Sequence, residues 1–398
     1  MKKTKKILSA VLALMLAAVM LAACSDKTAE TAASAETPAE TVSQESSSSE
    51  AAETESEEES TEEETKVSDL IPDADGNITI TDMAGREVTF PANPTIWNSS
   101  PTAEGWLCAI VPDQLVGFAA DFSDEAKAYY PESVRDLPTV GGNFGNNTAN
   151  VEGIISISPD IIVNTFDCSP DSLEVTVKNA DSMQEQYGIP VVCLSRDIAD
   201  TAVNAELIGL WFGQAERGAE AAEYLQGLMD KIEETAASVP ENEIPSYYYA
   251  EGTDGLSTES SDSFHADVYK TIGLKAAVGD DVVMSSFGGM EAVSFEQVLQ
   301  WDPDIIFVWN AQAFESITTD AMWAQLRAVN DGQVYMNPSL PQNWVDRSPN
   351  SLRILGCLFA AAKAYPDWCT YDLEEEVREF FSFMYDVELT DDQISALF

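Results

Sequence analysis

One polar–apolar pattern occurs twice in the chain. Asn150-Val151-Glu152-Gly153-Ile154-Ile155-Ser156-Ile157-Ser158-Pro159-Asp160-Ile161-Ile162-Val163 returns as Ser294-Phe295-Glu296-Gln297-Val298-Leu299-Gln300-Trp301-Asp302-Pro303-Asp304-Ile305-Ile306-Phe307. Each copy predicts a capping residue, a short helix, a Pro-Asp break and a buried apolar strand. Ser294 with Gln297 also fits a capping box. At about 100° per residue, Val151, Ile154, Ile155 and Ile157 share one helix face and Glu152 points the other way. In the second copy Phe295, Val298, Leu299 and Trp301 turn inward and Glu296 outward. Two matched helix–strand units imply two matched lobes, each with an acid at a helix start.

The rest of the pattern agrees. Alternating residues at 78–82 and 87–90 around Ala84-Gly85 predict a β-hairpin. A strand then runs into Trp97-Asn98-Ser99-Ser100-Pro101, followed by a helix over 103–111 and a strand over 115–119. Apolar strands alternating with helices predict an α/β lobe with a mainly parallel sheet. Helical spacing from Gln214 to Ser238, with Pro240 beyond, predicts a connecting helix roughly 35 Å long. A second lobe opens at Ser246-Tyr247-Tyr248-Tyr249-Ala250, contains a helix carrying His265, and ends in helices over 351–365 and 373–383. The expected domains are a leader over 1–23, a tether over 24–66, an N-terminal lobe over 67–200, the connecting region over 201–244 and a C-terminal lobe over 245–398.

Composition adds the ends and the exclusions. Lys2, Lys3, Lys5 and Lys6 precede an apolar run that is too short for a stable membrane span and reads as an export signal. It ends Leu21-Ala22-Ala23-Cys24, which resembles a bacterial lipobox and implies lipidation of Cys24 and anchoring on the extracytoplasmic side of the membrane. The following Ser/Thr/Ala/Glu stretch has no aromatic residue and predicts a disordered, extended tether. With 69 Asp+Glu against 20 Lys+Arg, the surface repels phosphate backbones, which excludes nucleic-acid partners.

Six cysteines include no Cys-x-x-Cys pair, so no zinc or thioredoxin-type motif and no disulfide framework is implied. A single histidine, His265, weakens both a Ser-His-Asp triad and a bare-metal site built from several imidazoles. It reads as a helix-surface histidine, with axial ligation of a haem or cobalamin metal as the alternative. No glycine cluster has phosphate-loop spacing.

The segment Thr81-Asp82-Met83-Ala84-Gly85-Arg86-Glu87-Val88, Gly141-Gly142 before Val151-Glu152 and Pro159-Asp160, and Phe295-Glu296-Gln297-Val298-Leu299 with Pro303-Asp304 together resemble class III solute-binding proteins of ABC importers. That family serves iron–siderophores, haem and vitamin B12, and the resemblance spans residues 78–398. It implies two α/β lobes joined by one long helix, a ligand cleft between them and no enzymatic activity. It also implies docking of Glu152 and Glu296 onto arginines of a permease dimer that works with its ATPase. Such carboxylates suit a helix start and pair directionally with arginine.

Strand-end loops are the expected cleft walls. They carry Trp97, Phe144, Phe166, Tyr249, Trp309, Trp344 and Arg347, as exposed aromatics and one cation suited to a flat or greasy chelate. The leading expectation is a monomeric, lipid-anchored receptor for an iron–siderophore or related metal chelate, with no cofactor of its own. A haem or corrinoid receptor is the alternative on the same fold. A surface enzyme would need a nucleophile–base or paired-carboxylate setting that the sequence lacks. A ligand sensor for a membrane kinase shares every feature above.

Overall fold

The computed structural model describes residues 70–142, 149–279, 282, 289–347 and 350–398. All of them lie in one compact unit, Thr65–Phe398. Phe144 and Cys24 fall outside the described residues.

The chain enters through the hairpin of β1 (Asn77–Thr81) and β2 (Glu87–Pro91), paired antiparallel with Ile78 opposite Phe90 and Ile80 opposite Val88. Those four side chains are buried, as the alternation predicts. Asp82 holds the turn by accepting from the backbone N–H of Ala84 (3.0 Å) and Arg86 (2.9 Å).

In the N-terminal lobe β3 (Ile96–Trp97) leads to α1 (Glu104–Ile110), β4 (Leu115–Gly117) and the short α2 (Asp124–Lys127). The first repeat forms α3 (Val151–Ile157) and β5 (Ile161–Phe166), followed by α4 (Leu173–Tyr187) and β6 (Val191–Ser195). All pairings are parallel, in the order β4-β3-β5-β6.

The C-terminal lobe repeats this plan. It runs through β7 (Ser246–Ala250), β8 (Ser257–Thr258), α7 (Asp267–Thr271), β9 (Lys275–Ala276) and β10 (Glu291–Ala292). The second repeat is α8 (Phe295–Trp301) with β11 (Ile305–Val308), then α9 (Ala311–Thr319), α10 (Arg327–Asn330) and β12 (Val334–Met336). Its parallel sheet has the order β12-β11-β7-β9. Counted within each lobe, both orders read second, first, third, fourth strand, so the two sheets share one topology.

The matched units agree in detail. Asn150 and Ser294 cap α3 and α8 through their side chains, and the capping box of Ser294 with Gln297 forms. Both helices stop at a left-handed residue, Ser158 (φ 42°) and Asp302 (φ 41°), just before proline. Asp160 then accepts from the N–H and hydroxyl of Thr95, both at 2.8 Å. Asp304 does the same with Ser246, at 2.8 and 2.7 Å. Each aspartate thereby clamps the start of its lobe's first strand.

Between the lobes lie α5 (Thr201–Trp211) and α6 (Ala215–Ser238). The connecting helix is present at its expected place, but it packs along α5 instead of standing alone. The two backbones come so close that a Cβ on Gly209 would lie 2.5 Å from the Cα of Gly218, a contact only glycine allows. On its other side α6 packs against α11 (Arg353–Ala364) of the C-terminal lobe.

The assignment of all of 245–398 to the C-terminal lobe needs amendment. α12 (Leu373–Tyr385) and α13 (Asp391–Ser395) return to the N-terminal lobe. There the Tyr129 hydroxyl donates to the Gln393 carbonyl at 2.9 Å, and the Tyr129 and Tyr130 rings pack edge-on against Phe381 and Tyr385. Apolar periodicity identified α12 but not α13, and it carries no information about which lobe a helix covers. One apolar cluster consequently extends from the hairpin through both lobes.

Candidate functional site

Open parallel sheets bind ligands beyond the carboxyl ends of their strands, and the lobes meet at those ends. The Arg196 guanidinium, just past β6, lies 4.2 Å from the ring centre of Phe264 in the loop following β8. Arg353 donates to the carbonyls of Arg196 (3.1 Å) and Phe264 (3.2 Å). Deeper in, Gln342 donates to Glu104 Oε2 at 2.5 Å. Glu104 is wholly buried, and burial pushes its carboxyl up to about 7 against the hydrogen bonds from Asn98 and Gln342.

On the C-terminal side a charged cluster gathers around Arg347. Its guanidinium pairs with Glu251, Asp346 and, at 3.2 Å, Glu259, and lies 5.0 Å from the Trp309 ring centre. Glu251 directly follows β7 and Trp309 directly follows β11, so neighbouring strand ends supply one acid and one aromatic wall. The Tyr249 hydroxyl adds a bond to Asp346 at 3.3 Å. Asn343 orients the loop by accepting from the N–H groups of Val345 and Asp346 at 2.9 and 3.0 Å. Arg347 itself adopts a left-handed backbone (φ 59°), a conformation that costs a large side chain about 1–3 kcal/mol and concentrates at functional positions.

Electrostatics here are dominated by buried acid. Burial, reinforced by Glu259 and Asp346 and opposed by Arg347, pushes the Glu251 carboxyl up to about 9. Burial acts to lower the Arg347 pKa, but the adjacent Asp346 and Glu251 outweigh it and hold the guanidinium firmly charged. His265 contacts Asp346 through Nδ1 and is only 6 % exposed. The helix-surface reading of His265 is therefore corrected: its short helical turn faces inward because it packs beneath the loop carrying Asp346.

The structure brings Tyr249, Trp309 and Arg347 together. Phe166, half-buried at the end of β5, belongs to the N-terminal lobe. Trp97, Tyr249 and Trp344 are fully buried, contrary to the expectation of exposed aromatics. The Trp97 ring packs edge-on against Tyr187 at 5.8 Å, on the side of its sheet covered by α4. Trp344 donates its indole N–H to Leu340 O at 2.8 Å and packs against Phe398. Both serve as core residues, since proximity to a loop does not decide which way a ring turns.

The repeated acids are both exposed in the first turn of their helices. The expectation that Ile155 and Leu299 face inward fails: Ile155 is 69 % exposed and Leu299 38 %, while Val151 is 58 % exposed. Ile155 and Leu299 each lie three residues beyond the lobe's glutamate, on the same helix face. A seven-residue helix has too few turns to fix its buried stripe by periodicity. Val151 and Ile155 line a shallow groove with Pro159, Tyr187 and Ile189.

Sequence reasoning missed Glu104, Glu251, Glu259 and Asp346. A glutamate directly after an apolar strand, as at 250–251, was the available signal. Among the described residues the five cysteines are all free thiols, and no helix is long and apolar enough to cross a membrane.

This two-lobed arrangement, with like topologies and a loop-lined meeting zone, defines a solute-binding protein. Residues 100–340 match the periplasmic binding protein family, and the chain belongs to that family, whose members work with ABC transporters and perform no catalysis. A solved ABC transporter solute-binding protein from Sulfurospirillum deleyianum is 30 % identical, with a TM-score of 0.72, covering 80 % of this chain and 98 % of that one. The molybdate-binding protein MolA of Haemophilus influenzae is 22 % identical, over 77 % of this chain and 90 % of its own length. A vitamin B12-binding protein of Vibrio cholerae is 25 % identical, over 66 % of this chain and 86 % of its own. Proteins of this family act outside the cytoplasm.

Proposed function

We propose that this chain is the lipid-anchored receptor of an ABC importer, capturing a metal chelate of the iron–siderophore type and docking on the permease dimer through Glu152 and Glu296. The observation that carries the docking is the matched pair itself. Each glutamate is exposed on a capped helix in the same topological place of its lobe, with an exposed aliphatic residue three positions on. A carboxylate beside a small apolar patch suits a partner arginine and its aliphatic surroundings. Cys24 carries the lipid, residues 25–66 act as the tether, and the receptor works as a monomer.

For the cargo, Trp309 offers aromatic contact beside a polar cluster at the strand ends. The molybdate-binding relative is a poor guide here. The Glu259 and Asp346 carboxylates beside Arg347 disfavour an oxyanion, whereas a metal centre wrapped in ligand suits them better. The vitamin B12-binding relative keeps a corrinoid as the second reading.

Tryptophan-fluorescence titration with ferric siderophores, haem, cobalamin and free metal ions tests the cargo. Tight binding of free Ni²⁺ or Zn²⁺ with no response to any chelate would refute the chelate reading. Glu152→Ala combined with Glu296→Ala is expected to abolish uptake with unchanged ligand affinity. Lost ligand affinity would instead place those residues in the cleft or in support of the fold.

A further inference from the structure

We propose that Glu259, His265 and Asp346 form a three-donor site for a divalent transition-metal ion in the loop cluster of the C-terminal lobe. One ligand atom from each lies within 4.8 Å of the other two. Donors on a single ion at bond lengths of about 2.0–2.2 Å stand roughly 3–4 Å apart, so modest side-chain rearrangement brings the three onto one ion, with the contacting His265–Asp346 pair moving apart. One imidazole with two carboxylates suits Co²⁺, Ni²⁺, Zn²⁺ or Fe²⁺ better than Mg²⁺ or Ca²⁺.

Two further observations point to a missing cation. His265 is 6 % exposed and its Nε2 has no hydrogen-bond partner. Buried polar atoms of that kind normally find partners. In addition, Glu259 and Asp346 set two buried carboxylates against the single Arg347 guanidinium, with the Glu251 carboxyl crowded beside them. Buried charge is tolerated when paired or coordinated to metal, and a divalent ion supplies what one arginine does not.

The supporting bonds resemble those of a built metal site. Ser263 donates its hydroxyl to Glu259 Oε2 at 2.6 Å and accepts from the backbone N–H of His265 at 3.2 Å, so one serine orients two of the donors. Met290 N–H adds a bond to Glu259 Oε1 at 3.0 Å. Such partners fix ligand orientation. Arg347 is the resident cation with which the ion competes.

The inference deepens the receptor reading and rests on it only for the source of the metal, which arrives either bare or in a chelate with open coordination positions. The purified protein is titrated with Co²⁺, following its visible d–d bands, and separately with nickel nitrilotriacetate, which leaves two positions open. Protein-dependent bands with Co²⁺ indicate a bare ion, and bands with the nickel chelate alone indicate a chelated one. In either case His265→Gln should abolish the bands and Glu259→Gln should weaken binding at least tenfold, with thermal unfolding confirming that each variant folds. Absence of bands in both titrations, or bands that persist in both folded variants, overturns the proposal. Binding of a fully coordinated ferric chelate without any such bands sinks this site and leaves the receptor reading intact.

Discussion

Gln342 donates to Glu104 at 2.5 Å and so ties a loop of the C-terminal lobe to the first helix of the N-terminal lobe. The bond has a pH signature. The Glu104 carboxyl lies at about 7 in the fold against 4.5 for its ordinary value, because burial penalises its charged form. Between those values the folded chain keeps a proton that the unfolded chain has released. Glu104 therefore contributes stability that is complete below about pH 4.5 and lost as pH rises through about 7. The shift corresponds to on the order of 3 kcal/mol. Urea unfolding at pH 5 and pH 8 should show this decline in the parent chain and a flatter profile in Glu104→Gln. Identical profiles would mean that Glu104 ionises in the fold without cost.

Ile155 and Leu299 should matter to the permease and not to the cargo. Replacing both with aspartate places like charge beside Glu152 and Glu296 and removes the exposed aliphatic contact. A loss of about tenfold or more in affinity for permease-containing vesicles is expected, about 1.4 kcal/mol, with cargo titration unchanged. Full vesicle affinity in the double variant would remove these residues from the contact.

Arg347→Ala leaves Glu251, Glu259 and Asp346 crowded and uncompensated. Removing one partner of a buried ionic cluster costs about 3–5 kcal/mol. Calorimetric melting at pH 8 should show a large fall in Tm relative to the parent. A variant as stable as the parent at pH 8 would contradict the pairing.

Gly209→Val puts side-chain atoms where the backbone of Gly218 already lies, 2.5 Å from even a first carbon. Overpacking against backbone costs about 1–3 kcal/mol and sometimes more. Gly227→Ala, on α6 with nothing within 4 Å, is the control and should stabilise slightly through helix propensity. Equal effects of the two substitutions would argue against close packing of α5 on α6.

Much of the architecture was legible because it rests on local pattern. The repeated unit announced both lobes, the hairpin was readable from alternation, and β7 begins and ends where its apolar run does. What escaped depends on distant partners. Asp160 meets Thr95 and His265 meets Asp346 across 65 and 81 residues, separations that no window of periodicity spans. Trp97 and Trp344 show the same gap: a loop position predicts closeness to a cleft, while the packing of the opposite sheet face decides where the ring goes. Ile155 and Leu299 were misjudged for another reason, since an interface residue breaks the rule that apolar means inward.

The return of α12 and α13 to the N-terminal lobe carries a mechanical consequence. The polypeptide passes between lobes at α6 and again after α11, so the second lobe is in effect an insertion held at both ends. Two covalent crossings leave the lobes less freedom to swivel than a single connecting strand would.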